Sequence, residues 1–378
     1  MKNALRSALL GAAAAFCAAV PLPAQDGLDV SVKGFVDTYH AFRTESPTDW
    51  MSSRTRVRGE VRIEKDGGGA FVSANLVYNA LLKDLSGFQL REAYAYWGNP
   101  RWDIRAGKQI ISWGVADGLR VTDLISPMDY TEFLAQDYDD IRVPVGALRV
   151  RYLHDTWSLE AVAVPVPEFF RLPVDPANPW SVGALPPEVR PDPVLKNMEY
   201  GTRLSFFLGG VDFSLMALRT WTKMPELQGD HIGYHRLTVL GGDISIPFGS
   251  FVFRGEAADN IDDDGHHQGS VLGGLDWYPG ADWNLSVQFN HIWQGEGEPS
   301  SLATLRISKA LLNNALTLST FAYADVRDGG VFNRLSADWA ATDQIHAILG
   351  YDYFYADKGM FARYAHNSEV WLKLKYNF

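Results

Sequence analysis

The sequence predicts an all-β protein, a transmembrane antiparallel up-and-down β-barrel of about eighteen strands, with sixteen strands as the alternative. Three observations support this fold class. Segments with alternating apolar and polar residues recur along most of the 378 residues. The connections between these segments alternate between tight turns and long loops. The first residues have the pattern of a secretory signal peptide.

The last ten residues show the alternation most simply. Apolar side chains share one face of the extended chain: Val370, Leu372, Leu374, Tyr376 and Phe378. The other face carries Glu369, Trp371, Lys373, Lys375 and Asn377. A tilted strand of this length crosses a bilayer. These ten residues alone also fit a strand that packs on an ordinary core.

The segment Arg54–Lys65 is the clearest interior example. Charged residues occupy its even positions as far as Glu64, and small or apolar residues occupy its odd positions as far as Ile63. No helix sorts residues in this way. About eighteen such segments follow one another, among them Trp102–Trp113 and finally Tyr364–Phe378. An even number in this range is typical of bacterial outer-membrane barrels.

The connections support the same architecture. Turns rich in Gly, Asn, Asp and Pro join alternate pairs of segments, as at Asp66–Gly69 and Pro279–Asp282. Longer connections lie between them: Thr44–Ser53, Gly114–Pro144, Pro167–Asn197, Lys223–Gly233 and Ile261–His267. Tryptophans near the segment ends, such as Trp97, Trp102 and Trp113, predict two interfacial girdles.

The N-terminus predicts export. Lys2 and Arg6 precede the apolar stretch from Leu9 to Val20, and Ala24 is the expected cleavage site. We therefore predict a signal peptide at 1–24 and a single barrel domain at 25–378. Removal of the signal peptide takes away two cations, so the formal charge of the chain changes from −11 to −13. This acidity disfavours nucleic acid as a partner.

Composition and motifs exclude several other classes. No apolar run after residue 25 reaches the length of a spanning helix, so a helical membrane protein is excluded. The only cysteine, Cys17, lies in the predicted signal, so disulfides and thiolate metal sites are not expected. No catalytic or phosphate-binding motif is present, so we expect neither an enzyme nor a cofactor.

Arginines dominate the predicted inward face of the early strands. Arg54, Arg56, Arg58 and Arg62, called the arginine ladder below, alternate along one segment. The candidates on neighbouring strands are Arg105, Arg149 and Arg151. Two interpretations are compatible: an ion-pair lattice that stiffens the wall, and a positive strip that guides anionic solutes.

A family resemblance covers residues 88–152 and rests on motifs between 107 and 149. Gly107-Lys108-Gln109 and Trp113-Gly114 lead into Leu124-Ile125-Ser126-Pro127-Met128-Asp129. This region resembles an incompletely characterised family of porin-like bacterial outer-membrane barrels, and more loosely the alginate-export porin. Members often accompany inner-membrane permeases of the RND type, so the resemblance implies transport or export and a permease as a partner. This chain is shorter than many members.

The connection Gly114–Pro144 is too long for a hairpin loop and is rich in apolar residues. We predict that part of it folds into the lumen as a constriction. Its charged residues would then meet the arginine ladder: Arg120, Asp123, Asp129, Asp139, Asp140 and Arg142. The alternative is an outward loop that packs over the rim.

The acidic run Asp259–His267 is a weak metal candidate through Asp262, Asp263 and Asp264. It lacks the spacing and the final Glu of an EF-hand loop, so a solvated loop is the preferred interpretation. A loose divalent contact with lipopolysaccharide is the alternative.

These observations predict a monomeric or trimeric channel or export conduit in the bacterial outer membrane, for small anionic or amphipathic solutes. The alternatives are a conduit for hydrophobic or lipid cargo that works with an inner-membrane pump, and a blocked structural or adhesion barrel. The expected partners are outer-membrane lipid, lipopolysaccharide and, through the final strand ending at Phe378, the barrel-assembly machinery.

Overall fold

A computed structural model describes residues 27–133, 140–294 and 298–378. Eighteen antiparallel strands form one sheet that closes on itself, which confirms the predicted fold class. The predicted signal peptide, with Cys17, lies outside the described residues, as does Asp139. No helix in the described part of the chain is long and apolar enough to cross a membrane.

The described residues form twenty strands, of which eighteen make up the wall. The first half of the wall consists of β1 Asp29–Arg43, β2 Trp50–Lys65, β3 Gly68–Asn79, β4 Gly87–Gly98, β5 Trp102–Gln109, β6 Val145–Leu153, β7 Trp157–Val164, β8 Glu199–Leu208 and β9 Val211–Trp221. A small hairpin of β10 Glu226–Gln228 and β11 His231–Gly233 lies in the following loop. The second half consists of β12 Arg236–Phe248, β13 Phe251–Asp262, β14 His267–Gly280, β15 Trp283–Gln294, β16 Ser300–Leu311, β17 Leu316–Asp325, β18 Val331–Ala340, β19 Ile345–Tyr355 and β20 Glu369–Asn377.

Pairing of β1 with β20 closes the wall. The register runs from Phe35 opposite Asn377 to Arg43 opposite Glu369. The backbone of Gly34 exchanges two hydrogen bonds with Phe378, of 3.0 and 3.1 Å. A Cβ atom at Gly34 would lie 2.5 Å from the Phe378 ring, so only glycine leaves room for the terminal aromatic residue here.

The outward face of the wall is apolar. Along β20 the outward residues Val370, Leu372 and Leu374 are exposed, whereas Glu369, Trp371 and Lys373 on the inward face are buried. The same alternation continues around the ring, as at exposed Leu215 beside buried Ser214 and Met216. An apolar belt with no unpaired sheet edge is the surface that a bilayer requires. The barrel therefore spans a membrane.

Aromatic residues lie at the strand ends as expected, with one exception. Trp97, Trp102 and Trp339 are exposed beside tight turns, and Trp293 is exposed near the opposite rim. The prediction for Trp113 was wrong. Its side chain is inside the barrel, where the indole N–H donates to Glu160 at 2.7 Å.

Several strand boundaries also differ from the prediction. The second strand begins at Trp50 instead of Arg54. The fifth strand ends at Gln109 instead of Trp113, because the next backbone N–H groups bond to side chains. The amide of Ile110 donates to Glu92, and that of Ile111 donates to Ser126, both at 2.9 Å. The last strand begins at Glu369, since residues 362–364 form a 3-10 turn.

We expect the substitution Leu215→Arg to destabilise the barrel in lipid by about 2–4 kcal/mol, because this outward side chain lies in the apolar belt. Urea unfolding in vesicles measures the change. The same substitution at Leu227, exposed on the β10–β11 hairpin, is the control and should shift stability by less than about 0.5 kcal/mol. Equal effects at the two positions would contradict the assignment of the lipid-facing surface.

A candidate constriction inside the barrel

Residues 110–144 connect β5 to β6, and their described parts, 110–133 and 140–144, fold into the lumen. We call this connection the inserted segment. Its apolar residues Ile111, Trp113, Leu119, Val121 and Ile125 are all less than a tenth exposed. They form one core with inward-facing wall residues: Val162, Val164, Met216, Leu218, Val239, Ala258 and Leu272. Burial of this apolar surface holds the segment inside the wall instead of over the rim.

The arginine ladder of β2 holds the end of the inserted segment. Arg54 pairs with Glu132 at 3.0 Å. Arg56 pairs with Asp140 at 2.9 Å and with Asp37 of β1 at 2.6 Å. Arg58 also reaches Asp140, at 2.7 Å. These three guanidinium groups are almost completely buried, so they bind the segment and do not line open water.

Asp140 is the centre of this anchor. Arg91 of β4 approaches it as well, at 3.3 Å, so three arginines converge on one carboxylate. Burial raises the pKa of Asp140, but the three guanidinium groups outweigh burial and hold that pKa well below its usual range. Asp140 is therefore ionised at any physiological pH.

Glu256 of β13 forms a second anchor. One oxygen accepts hydrogen bonds from the backbone N–H groups of Val115 and Ala116, both at 2.5 Å. The other accepts from the N–H of Thr122 at 3.1 Å and from its hydroxyl at 2.9 Å. Arg254, two residues earlier, donates to the carbonyl of Val115 at 3.1 Å. One side chain thus satisfies three backbone donors that no strand ladder can reach.

The two anchors lie on opposite walls. In the ring, β2 is the second strand and β13 the eleventh, so eight wall strands lie between them in either direction. Three further wall strands hold the segment between these points. Arg306 of β16 pairs with Asp117 at 2.7 Å, Gln288 of β15 bonds the backbone of Asp117, and Tyr323 of β17 donates to the carbonyl of Gly118. The segment therefore crosses the lumen along its diameter.

The remaining predicted residues of the segment stabilise its own shape. Arg142 pairs with Asp123 at 2.9 Å, and Arg120 donates to the carbonyls of Asp123 and Ser126 at 2.6 and 2.7 Å. Asp129 pairs with Arg171 of the next long loop at 3.3 Å. The ladder contacts predicted for this set are therefore made by Asp140, whereas Arg120, Asp123, Asp129 and Arg142 bind elsewhere.

The other predicted wall arginines lie nearer the short turns. Arg149 pairs with Glu160 at 2.7 Å, and Glu160 also accepts from Trp113. Arg105 and Arg151 share a single carboxylate, Asp103, at 3.2 and 2.9 Å, and about a third of each arginine side chain is exposed. Arg62 stacks over the rings of Phe71 and Tyr96. We call Arg62, Arg105 and Arg151 the periplasmic arginine cluster.

A second long loop, residues 165–198, covers the inserted segment from the outside. Trp180 packs on Phe133, Phe354 and Tyr364, and Asn178 donates to the carbonyl of Thr131 at 2.6 Å. The loop is therefore part of the closure on the side opposite the short turns.

The weak metal candidate divides in two. Asp262 and Asp264 lie with His266, each with a ligand atom within 4.8 Å of the others, at an exposed loop tip. Asp263 points elsewhere and pairs with Arg219. Asp262 already accepts hydrogen bonds from the backbone of Asp264 and His266, which explains the cluster as a local turn.

Sequence reasoning missed several of the most important partners. Glu256, Glu132 and Asp37 carry the two anchors but were not singled out. Each is an acid on a strand face or in a loop that gives no motif. The only available signal was alternation, which places Asp37 and Glu256 on the inward faces of their strands.

The central part of the chain matches a protein-family model. Residues 79–265, just under half of the chain, match the family described as "Protein of unknown function (DUF1302)". The matched region includes the inserted segment and the long loop that covers it. No curated protein matches the sequence.

Solved structures share the fold. OccK11 (OpdR) of Pseudomonas aeruginosa has a TM-score of 0.60 at 11% identity, over 93% of this chain and 96% of that one. OccK2 (OpdF) of the same organism, solved in complex with glucuronate, has a TM-score of 0.59 at 12% identity, over 93% and 97%. OccAB4 of Acinetobacter baumannii has a TM-score of 0.58 at 9% identity, over 93% and 98%. The fold, the apolar belt and the asymmetry of the loops are those of an outer-membrane barrel.

We expect Asp140→Asn to loosen the inserted segment, because buried arginines would lose a shared carboxylate. Breaking a buried pair is worth about 3 kcal/mol, so local opening should rise roughly a hundredfold. Deuterium uptake by the amides of residues 110–133, in detergent, measures this opening. Asp230→Asn, at a fully exposed loop position, is the control.

The pH dependence of the parent protein follows from the same anchor. A carboxyl whose folded pKa is depressed stabilises the fold above its unfolded pKa and loses that effect as the pH falls towards the folded pKa. Uptake corrected for the intrinsic exchange rate should be constant from neutral pH down to about 4, the ordinary aspartate pKa, and rise below it. A parent that opens between pH 7 and 5 would contradict the anchor.

Proposed function

We propose that the protein is an outer-membrane channel in which the inserted segment sets the width and polarity of the path. The observation that supports this most directly is a segment that crosses the lumen and is held to opposite sides of a continuous wall by two polar anchors. Constrictions of this kind let a barrel select small solutes by size and charge.

We propose small anionic solutes, including amphipathic ones, as the preferred cargo. The upper part of the arginine ladder is neutralised by Asp37, Glu132 and Asp140. Positive charge remains available in the periplasmic arginine cluster, because two partly exposed arginines share one aspartate there. The complex of OccK2 with glucuronate, an organic anion, is consistent with this class at the level of the fold.

A conduit for hydrophobic cargo is the second candidate, and one observation favours it. Several inward-facing wall residues are apolar, among them Val162, Val164, Met216, Leu218, Val239 and Leu272. They are covered by the inserted segment, so a hydrophobic solute would reach them only after this segment moved. The first candidate requires no such rearrangement.

We expect replacement of residues 118–140 by a short Gly-Ser linker to raise the single-channel current in a planar bilayer several-fold. The reason is that most of the inserted segment would no longer obstruct the lumen. Removal of residues 263–266, an exposed tip outside the lumen, is the control and should leave the current unchanged. Unchanged current after the first deletion would exclude the constriction.

We expect the parent channel to prefer anions, and the double substitution Arg105→Gln and Arg151→Gln to reduce that preference. The two changes leave Asp103 without its neutralising partners. The reversal potential in a salt gradient measures the preference, and it should move towards the cation side at low ionic strength. Arg190→Gln, in an exposed outer loop, is the matched control. A parent that prefers cations would refute the proposed cargo.

A further inference from the structure

A shallow groove crosses the outer, lipid-facing surface of β15–β20. It has a volume of about 580 Å³, and its lining is almost entirely apolar. Outward side chains line it, with Leu318, Leu335 and Leu349 on its sides and Ala337 between them. The alanine leaves the gap, because it stands in register between two leucines, Leu318 on β17 and Leu349 on β19.

The groove rises from the short-turn rim towards the middle of the wall. It begins at Trp283, the first residue of β15, and continues through Lys309 and Leu318 to Leu349, four residues inside β19. It spans six neighbouring strands, which is about 24 Å at the usual strand spacing. With strands tilted by about 40°, this path climbs roughly 15 Å, half of the hydrocarbon thickness.

Only the lower end of the groove is charged. Lys309 projects from the outer face of β16 there, with its ammonium group 5.3 Å from the Trp283 ring. It donates to the carbonyl of Ala281 in the adjacent turn, which uses one of its three donors. A lysine and a tryptophan at this height lie at the level of lipid head groups.

We propose that this groove binds one anionic glycerophospholipid of the periplasmic leaflet. Its phosphate contacts Lys309 and Trp283, and one acyl chain follows the groove to the bilayer midplane. Charge complementarity at the lower end and a length of one leaflet fit this occupant, whereas a second barrel would bury Lys309 against an apolar wall. The site rests on the proposed outer-membrane location and is independent of the cargo.

Native mass spectrometry of the barrel in detergent, after addition of phosphatidylglycerol, tests the site. The parent should keep one tightly bound lipid. Lys309→Gln should weaken binding about fivefold, since one interfacial cation is worth about this factor. Ala337→Phe should remove the bound lipid by filling the groove while leaving the charge in place. Lys65→Gln, an outward lysine at the short-turn end of β2, is the control and should bind as the parent does.

Two outcomes would overturn the proposal. Equal lipid counts in the parent, Lys309→Gln and Ala337→Phe would mean non-specific lipid only. If the parent protein were a dimer and Ala337→Phe made it monomeric, the groove would be an interface between two copies of the chain. Each variant is also checked for single-channel current, which should equal that of the parent because the groove lies outside the lumen. A parent that forms no channel would refute the proposed function while leaving the lipid count interpretable.

Discussion

The architecture depends on one constraint: a bilayer core offers no hydrogen-bond partner to the peptide backbone. Every strand must therefore find two neighbours, and the first strand must find the last. The register of β1 against β20 meets this requirement, and the hydrogen bonds between Gly34 and Phe378 extend it to the end of the chain. Closure also fixes which face of every strand is turned to the lumen. Because apolar and polar residues alternate, the apolar side chains face the lipid and the other side chains line the lumen.

Inside the wall, the backbone of the inserted segment is not part of the sheet and still needs hydrogen-bond partners. Wall side chains supply them. Glu256 receives three backbone N–H groups, and Glu92 receives one. The charged groups of the segment are met by the arginine ladder on the opposite wall. An apolar core between the two polar anchors adds burial. The segment therefore has a defined place, and the wall residues that hold it cannot also serve a passing solute.

The sequence predicted the wall well and the interior only in part. Alternation alone placed eighteen strands, because the bilayer demands the same apolar face at every strand. The boundary at Gln109 was missed because Ile110, Ile111 and Trp113 continue to look like a strand. Ile111 and Trp113 are instead buried in one core with Val162 and Leu218, which are distant in sequence. The pairing of Asp140 with three arginines was likewise beyond pattern reasoning, since contacts across a lumen have no spacing rule. Asp140 and Arg142 are two residues apart and bind different partners.

The pairing of Phe35 with Asn377 has a consequence for how the protein is made. These partners come from the two ends of the described chain, so the contact that completes the ring forms between the most distant segments in the sequence. Contacts of such separation are slow to form, because chain entropy opposes them until the intervening strands are in place. Until then, one edge of β1 has unpaired N–H and C=O groups, with which a strand of another molecule could pair. The unpaired edge of β1 must therefore be protected while the barrel folds, and it stays open to wrong pairing until β20 binds to it.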